Sequence, residues 1–417
     1  MRFVSASTIN GTVAAPPSKS MTGRAIAAAL LAGGNSVISN PSSCDDSLAA
    51  LRVAEVMGAE VTKRGSEIVI RGNGALRDSM EERVLNCGES GLCMRMFAPI
   101  VTLTGGEVIL TGTGSLLKRP MDMVEEIAGL GVLCTTNNGY APIKIKGPAR
   151  GGTVHVDASE SSQFLTGLLM ALPLCREDSL VTVSNLRSGP YVAMTLSLLS
   201  HYGIHIAVEE GFEGFSIRGN QSYRACVYRV EGDWSAAAFL LVAGATAGGV
   251  KVTGLDPDSF QADKAIMEAL EMTGADLAIG RDHVLVERNA LKAFEFDARD
   301  CPDLFPPLVA LASSCSGTSI VHGAQRLRHK ESDRAHALCS EFGRLGIAIE
   351  LSGDTMKVHG GKVTGATVDS HNDHRIAMAC AIAALNGEGK TAIEHWECVS
   401  KSYPGFFTDI ERLQEKR

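Results

Sequence analysis

Polar clusters recur in this sequence wherever an apolar helix should begin. First helices of a repeated unit open at SKS (Ser18–Ser20), GESG (Gly88–Gly91), SESSQ (Ser159–Gln163), DCPD (Asp300–Asp303) and NDHR (Asn372–Arg375). Second helices open at KRP (Lys118–Pro120), SGPY (Ser188–Tyr191), HKESDR (His329–Arg334) and SKSYP (Ser400–Pro404). A helix start offers unpaired N–H groups and a partial positive charge, which suits anions. Serine, aspartate and asparagine are ordinary caps there. Lys19, Arg119, Lys330, Arg375 and Lys401 are expected in first turns, where a cation opposes the helix dipole. Taken singly, each reads as solvated surface. Together, in equivalent places of a repeat, they predict a strongly positive cleft that draws in polyanions. Lys330 and Arg334 are four apart and are expected to share a helix face, and Lys19 with Arg24 supplies two cations from one short segment. Asp303 opens the apolar run LFPPLVALA. Alone it reads as a cap; among cations it could take a proton from a hydroxyl. Glu331 lies between two cations and suits an acid or their electrostatic partner. His374 precedes Arg375 in the same cluster.

The elements that must position these groups repeat six times. Copies begin near Thr12, Val84, Thr153, Cys226, Phe294 and Thr367, at successive offsets of 72, 69, 73, 68 and 73 residues. Each passes from a short strand through a Ser/Gly/Asp turn into an apolar helix, then a strand such as EVILTG and a second helix such as MVEEIAGLG or AIMEALEMTG, stopped by glycine. A pair of short strands closes the first five copies, so the unit reads β-α-β-α-β-β. The sixth copy ends after its second helix, and RFVSAS near the N-terminus is a strand without a unit. The expected organisation is α/β (α+β) in two domains: residues 14–226 with three units, and residues 1–13 plus 227–417 with three units completed by the N-terminal strand. Two chain crossings would make a hinge, and ligands commonly bind at domain interfaces.

Composition narrows the classes. Of 417 residues, 45% are apolar and 21% charged, an ordinary globular balance. No run of 18 apolar residues predicts a membrane span, and the N-terminus has no apolar core of a secretory signal. Eleven cysteines occur without a CxxC pair, which argues against a disulfide framework or zinc ribbon and suits a reducing cytoplasm. A net charge of −8 is a poor basis for nucleic-acid binding. There is no GxxxxGK[ST], no GxGxxG after a strand, no HExxH and no GxSxG, which weighs against nucleotide, dinucleotide, zinc-protease and α/β-hydrolase chemistry.

The sequence resembles the 5-enolpyruvylshikimate-3-phosphate synthase family almost end to end. PPSKSMTGR, GESGLCMR, LLKRPM, SSQFLTGLLMALP, SGPYVAMT, VEGDWSAAAF, PDLFP, LRHKESDR, NDHRIAM and VSKSYPGFF carry the resemblance, in family order. It implies two domains of three βαβαββ units, an inside-out α/β barrel, and transfer of the enolpyruvyl group of phosphoenolpyruvate to shikimate 3-phosphate. It further implies that Lys19, Ser20, Arg24, Ser161, Ser162, Gln163, Ser188, Tyr191, Asp303, Arg326 and Lys330 bind shikimate 3-phosphate. Lys19, Gly91, Arg119, Gln163, Arg334, His374, Arg375 and Lys401 would surround phosphoenolpyruvate. Asp303 would be the proton acceptor, Glu331 a proton donor, and Lys19 would serve both substrates and the chemistry. No metal or organic cofactor, nucleic acid or membrane is implied; a cytoplasmic monomer is expected. Gly91 leaves room beside phosphoenolpyruvate, so glyphosate should compete with that substrate. Pro17, Glu89 and Arg326 depart from the family's commoner Gly, Asn and Asn.

Two alternatives stand beside this expectation. The sister transferase acting on UDP-N-acetylglucosamine shares the fold and chemistry but usually carries a reactive loop cysteine, and Cys87 and Cys93 sit instead against a helix start. A related RNA cyclase or a binding module would need a nucleotide site or a basic face.

Overall fold

The leading helix of every copy is apolar on all sides, which requires burial on all sides. The computed structural model, which describes residues 1–74, 76 and 82–414, buries them accordingly. The helices are α1 (Lys19–Leu31), α2 (Asp45–Val56), α3 (Gly91–Val101), α4 (Gln163–Ala171), α5 (Gly189–His201) and α6 (Trp234–Ala247). They continue with α7 (Ile266–Thr273), α8 (Phe305–Ser313), α9 (Arg334–Arg344), α10 (His374–Leu385) and α11 (Phe406–Leu413). In α1, α3, α4 and α6 the residues that escape full burial all lie in the first turn: Lys19 and Ser20, Leu92, Gln163, and Ser235. In α8 and α10 nothing escapes it. In those four helices the packing therefore leaves the start as the accessible part, beside the polar clusters.

Among the described residues the strands form six separate sheets. In the second copy Arg83–Asn86 runs parallel to Glu107–Thr111, which pairs antiparallel with Tyr140–Lys146, and Leu133–Asn137 forms the edge. The third and fifth copies repeat this order. In the sixth, Thr367–Asp369 runs parallel to Lys390–Glu394, and Arg2–Ser5 pairs antiparallel on the other side, in the place of the missing closing strand.

The first and fourth copies do not close on themselves. Ile9–Ala14, which leads into α1, runs parallel to Gly248–Thr253 of the fourth copy. Val227–Arg229, which leads into α6, runs parallel to Val37–Ser39 of the first. The two leading strands are thus exchanged. The chain divides into an N-terminal unit, Pro17–Val230, and a C-terminal unit, Met1–Pro16 with Glu231–Arg417.

One expected helix is wound differently. MVEEIAGLG forms a 3-10 segment over Asp122–Leu130, not an α-helix. Its buried residues, with the preceding Met121, are Val124, Ile127 and Leu130, spaced by three, and a three-residue turn puts all four on one ridge. Gly131 ends it at φ 76°, and Gly274 ends α7 at φ 81°, both in the left-handed conformation glycine favours. The eleven cysteines are all free thiols. Among the described residues no helix is long and apolar enough to cross a membrane.

Candidate functional site

In the C-terminal unit the chemistry gathers on Asp303, in the 3-10 turn Pro302–Leu304 that opens α8. Its side chain does not cap the helix. Oδ1 accepts from Arg334 Nη1 at 2.7 Å and lies 3.7 Å from Lys330 Nζ; Oδ2 accepts from Arg375 Nη2 at 3.1 Å. The carboxylate retains 27% exposure, so a ligand can reach it. Burial opposes its ionisation, but Arg375, Lys330 and Arg334 together hold it well below the usual carboxylate range.

Arg334 is the hub. It is fully buried and shared by three carboxylates. Besides Asp303, Nε donates to Asp373 Oδ2 at 2.8 Å and Nη2 donates to Glu331. A lone guanidinium so buried would be strongly unfavourable; three carboxylates more than offset the lost hydration and raise its pKa. Asp373 also caps α10, accepting from Arg375 N at 3.0 Å, and receives Ser332 Oγ at 3.0 Å. His374, buried at the first position of α10, has Nδ1 3.9 Å from Asp373 Oδ1. Lys401 Nζ donates to the Asn372 carbonyl at 2.7 Å. Burial pushes Lys330 down to about 8, against the pull of Asp303 and with the neighbouring charge of Arg326 adding to the fall. Arg326 itself donates to the Arg299 carbonyl. Asp263, fully buried and hydrogen-bonded by Ser235, is pushed up to about 6 by burial and by the charge of Asp303.

Three of the five cations expected in helical first turns lie elsewhere. Lys19 and Arg375 do stand in the first turns of α1 and α10. Arg119 follows the 3-10 segment Gly114–Lys118, and Lys401 ends the segment Trp396–Lys401, so both sit at C-terminal ends, where a cation is favoured. Lys330 lies in the turn before α9, which Asp333 caps. Lys330 and Arg334 therefore share no helix face. They meet because the turn folds both onto Asp303.

The N-terminal unit holds its own set. Lys19 Nζ lies 3.0 Å from Asp46 Oδ2, at the start of α2. Ser18 caps α1, and Ser20, one position after Lys19, offers its carbonyl to Arg24 Nη1 at 3.1 Å. Arg24 is 1% exposed, with Nε on Thr195 Oγ1 at 2.9 Å and Nη2 on Thr166 Oγ1 at 3.3 Å. Burial lowers it to about 10, with Tyr191 opposing the fall. Ser188 caps α5 in the left-handed conformation, φ 63°, and its carbonyl receives Tyr191 N at 3.1 Å. Ser161 Oγ receives Gln163 N at 3.2 Å, and the carbonyl of Ser162 receives Thr166 Oγ1 at 3.2 Å. Gln163 Oε1 accepts from Arg95 Nη1 at 3.1 Å, and Arg95 Nη2 reaches the Pro120 carbonyl at 3.0 Å.

Gly91 begins α3 against Arg119. A Cβ there would stand 2.8 Å from Arg119 Nη1 and 3.1 Å from Cζ, so glycine is what lets the guanidinium lie over the helix start. Glu89, one of the departures, turns toward the loop: Oε2 accepts from Ser115 N and Ser115 Oγ, both at 2.9 Å. It ties down the 3-10 segment that leads into Arg119.

The structure adds residues that the sequence argument passed over. Asp46, Asp373, Arg95, Thr166 and Thr195 are the partners that fix Lys19, Arg334, Gln163 and Arg24. Arg95 carried a signal, being a charge inside the apolar helix LCMRMFA. Asp46 and Asp373 look like ordinary helix-start acids.

The family description "EPSP synthase (3-phosphoshikimate 1-carboxyvinyltransferase)" matches residues 4–410. A 3-phosphoshikimate 1-carboxyvinyltransferase of Thermococcus kodakarensis is 41% identical over 410 residues, covering 98% of each chain. One of Methanocorpusculum labreanum is 39% identical over 414 residues, covering 99% of this chain and 98% of its own. An EPSP synthase structure from Acinetobacter baumannii superposes with a TM-score of 0.81 at 25% identity, covering 99% of this chain and 98% of the other.

Proposed function

The chain belongs to the EPSP synthase family, and from that premise we propose that it moves the 1-carboxyvinyl group of phosphoenolpyruvate onto the 5-hydroxyl of shikimate 3-phosphate, releasing phosphate, with Asp303 as the proton acceptor. The observation that carries the assignment is the partly exposed Asp303 carboxylate held among Arg334, Arg375 and Lys330.

The reaction asks for these residue types. The acceptor hydroxyl loses its proton as its oxygen bonds to C2 of phosphoenolpyruvate, and C3 gains a proton. The resulting tetrahedral adduct then loses a proton from C3 and breaks the C2–O bond to phosphate, which re-forms the double bond and releases phosphate. The adduct carries two phosphates and two carboxylates, which guanidinium and ammonium groups stabilise best in a water-poor site. For phosphoenolpyruvate the proposed groups are Lys19, Gly91, Arg119 and Gln163 of the N-terminal unit and Arg334, His374, Arg375 and Lys401 of the C-terminal unit. Lys19, Ser20, Arg24, Ser161, Ser162, Gln163, Ser188, Tyr191, Arg326 and Lys330 take shikimate 3-phosphate.

Asp303 is a poor base while three cations hold it. An incoming phosphate or carboxylate competes for Arg334 and Arg375, and each bond it takes returns basicity to Asp303. Glu331, paired with Arg334, is released by the same exchange and is the candidate donor to C3. The chemistry needs no metal or organic cofactor, and we place it in the cytoplasm as a monomer. Cys87 and Cys93 are buried, so neither offers the accessible thiol of the sister transferase.

The test is phosphate release from purified protein, omitting each substrate in turn. Release that needs both phosphoenolpyruvate and shikimate 3-phosphate is expected. Release with UDP-N-acetylglucosamine in place of shikimate 3-phosphate would overturn the acceptor assignment, and no release with either would overturn the reaction.

A further inference from the structure

Glu341 is a fully buried carboxylate that the reaction above does not use. It lies on α9, seven residues after Arg334, so the two project from the same face two turns apart. Its oxygens are well served. Oε2 accepts from Asp369 N at 2.9 Å and lies 3.5 Å from Arg344 Nη1. Oε1 accepts from Ser340 Oγ at 3.0 Å and from His371 Nε2 at 2.9 Å. A carboxylate here only accepts, so it fixes the proton of His371 on Nε2.

The segment it grips is unusual. His371 and Asn372 are consecutive residues in the left-handed region, at φ 52° and 54°. Asparagine and histidine enter that region more readily than other side chains, and single ones do so elsewhere in this chain, but two in succession need surroundings that hold them. The double turn has a visible result. It brings Asp373 to the start of α10 as its cap and directs the Asn372 carbonyl to Lys401 Nζ. Ser370 Oγ steadies it, receiving Asn372 N at 3.1 Å and donating to the His395 carbonyl at 3.0 Å. Thus α9 holds the loop at two points: Arg334 grips Asp373, and Glu341 grips Asp369 and His371.

We infer that Glu341 is a positioning residue for phosphoenolpyruvate: by pinning Asp369 and His371 it sets the strained turn that places His374, Arg375 and the Lys401 contact. The inference rests on the reaction assigned above and names the structural support of its anion site. Glu341 touches no reacting atom. Its effect passes through the turn, and should therefore appear in phosphoenolpyruvate affinity without reaching the shikimate 3-phosphate groups Arg24, Ser161 and Ser188.

Glu341→Gln tests this. Its amide puts an NH2 where one of the two carboxylate oxygens accepted, so either the bond from Asp369 N or the bonds from His371 and Ser340 are lost. The expected result is a rise of about tenfold in KM for phosphoenolpyruvate, the loss of one charge-assisted hydrogen bond, with kcat within about threefold of wild type. The dissociation constant of shikimate 3-phosphate should stay unchanged. Glu341→Asp, which keeps the charge, should recover part of the loss. A uniform fall in kcat with unchanged KM, or wild-type kinetics in folded protein, overturns the inference. Should Glu341→Gln fail to fold, His371→Ala carries the test, because that side chain is 35% exposed and its loss empties no core. The same rise in KM is expected, and a wild-type KM overturns the proposal. A wild-type chain that releases no phosphate would instead overturn the reaction itself.

Discussion

Asp303→Asn separates a base from a binding group. The substitution keeps the shape of the side chain and removes one negative charge from among Arg334, Arg375 and Lys330. As a general base Asp303 is worth about 10²–10⁴ in rate, so kcat for phosphate release should fall by about a thousandfold. The acceptor should lose little, since an amide still hydrogen-bonds a hydroxyl; a change of about fivefold, or ~1 kcal/mol, is the ceiling. Phosphoenolpyruvate should bind severalfold more tightly, because the carboxylate that competed for Arg334 and Arg375 is gone. Single-turnover phosphate release gives the first quantity, and calorimetric titration of each substrate gives the others. Proportionate loss of turnover and acceptor affinity would refute the role of base, and unchanged phosphoenolpyruvate affinity would refute the competition. Thermal melts supply an independent check. A carboxylate held below its unfolded value stabilises the fold above that value, about pH 4, and the contribution disappears as pH falls through the depressed folded value. The melting-temperature advantage of wild type over Asp303→Asn should be full at neutral pH and should close in acid.

Two further outcomes follow from the same geometry. Burial lowers Lys330 to about 8, so kcat/KM should fall as pH rises through about 8, and Lys330→Arg should carry the plateau at least a pH unit higher; an identical alkaline limb in both proteins would show that another group titrates. Gly91→Ala places a methyl 2.8 Å from Arg119 Nη1, so it should raise KM for phosphoenolpyruvate about tenfold, the scale of one charged hydrogen bond, with unchanged affinity for shikimate 3-phosphate, and kinetics like wild type would remove Arg119 from the site.

The parts of the fold legible in the sequence were those written locally. The six copies announce themselves because each carries the same order of strand, turn and apolar helix, and helix starts are marked by caps such as Ser18, Ser90 and Asp373. The exchanged leading strands were not legible in this way. Ile9–Ala14 and Val227–Arg229 precede their helices as the other leading strands do, and nothing in a strand's own residues names its partner. The 3-10 winding of Asp122–Leu130 was written in the spacing Met121, Val124, Ile127, Leu130, but a period of three is close enough to 3.6 to pass as an α-helix over three turns. The counter-ions were hidden for another reason. Asp46 is 27 residues from Lys19, and Asp373 is 39 from Arg334; such pairs are made by tertiary packing alone. The approach of Lys330 and Arg334 illustrates both sides. The spacing of four brought the right pair to attention, but a turn, and not a helix face, brings them together.

The partners of the cations alter how anion binding must work. Within each unit the candidate cations already have fixed contacts: Lys19 with Asp46, Arg334 with Asp303, Glu331 and Asp373, Arg375 with Asp303, and Lys401 with the Asn372 carbonyl. Lys19, Arg334 and Arg375 therefore face a carboxylate before any anion arrives. Binding is an exchange, in which a substrate oxygen replaces a carboxylate oxygen on the same guanidinium. Exchange favours ligands that bring several anionic oxygens at once. A single carboxylate does no more than replace Asp303 on Arg334 and Arg375, whereas a molecule with both a phosphate and a carboxylate brings further oxygens for the same guanidinium groups. The displaced carboxylates would then recover their basicity in the presence of that ligand, so that, in the roles proposed above, Asp303 and Glu331 would be armed by the substrate they act upon.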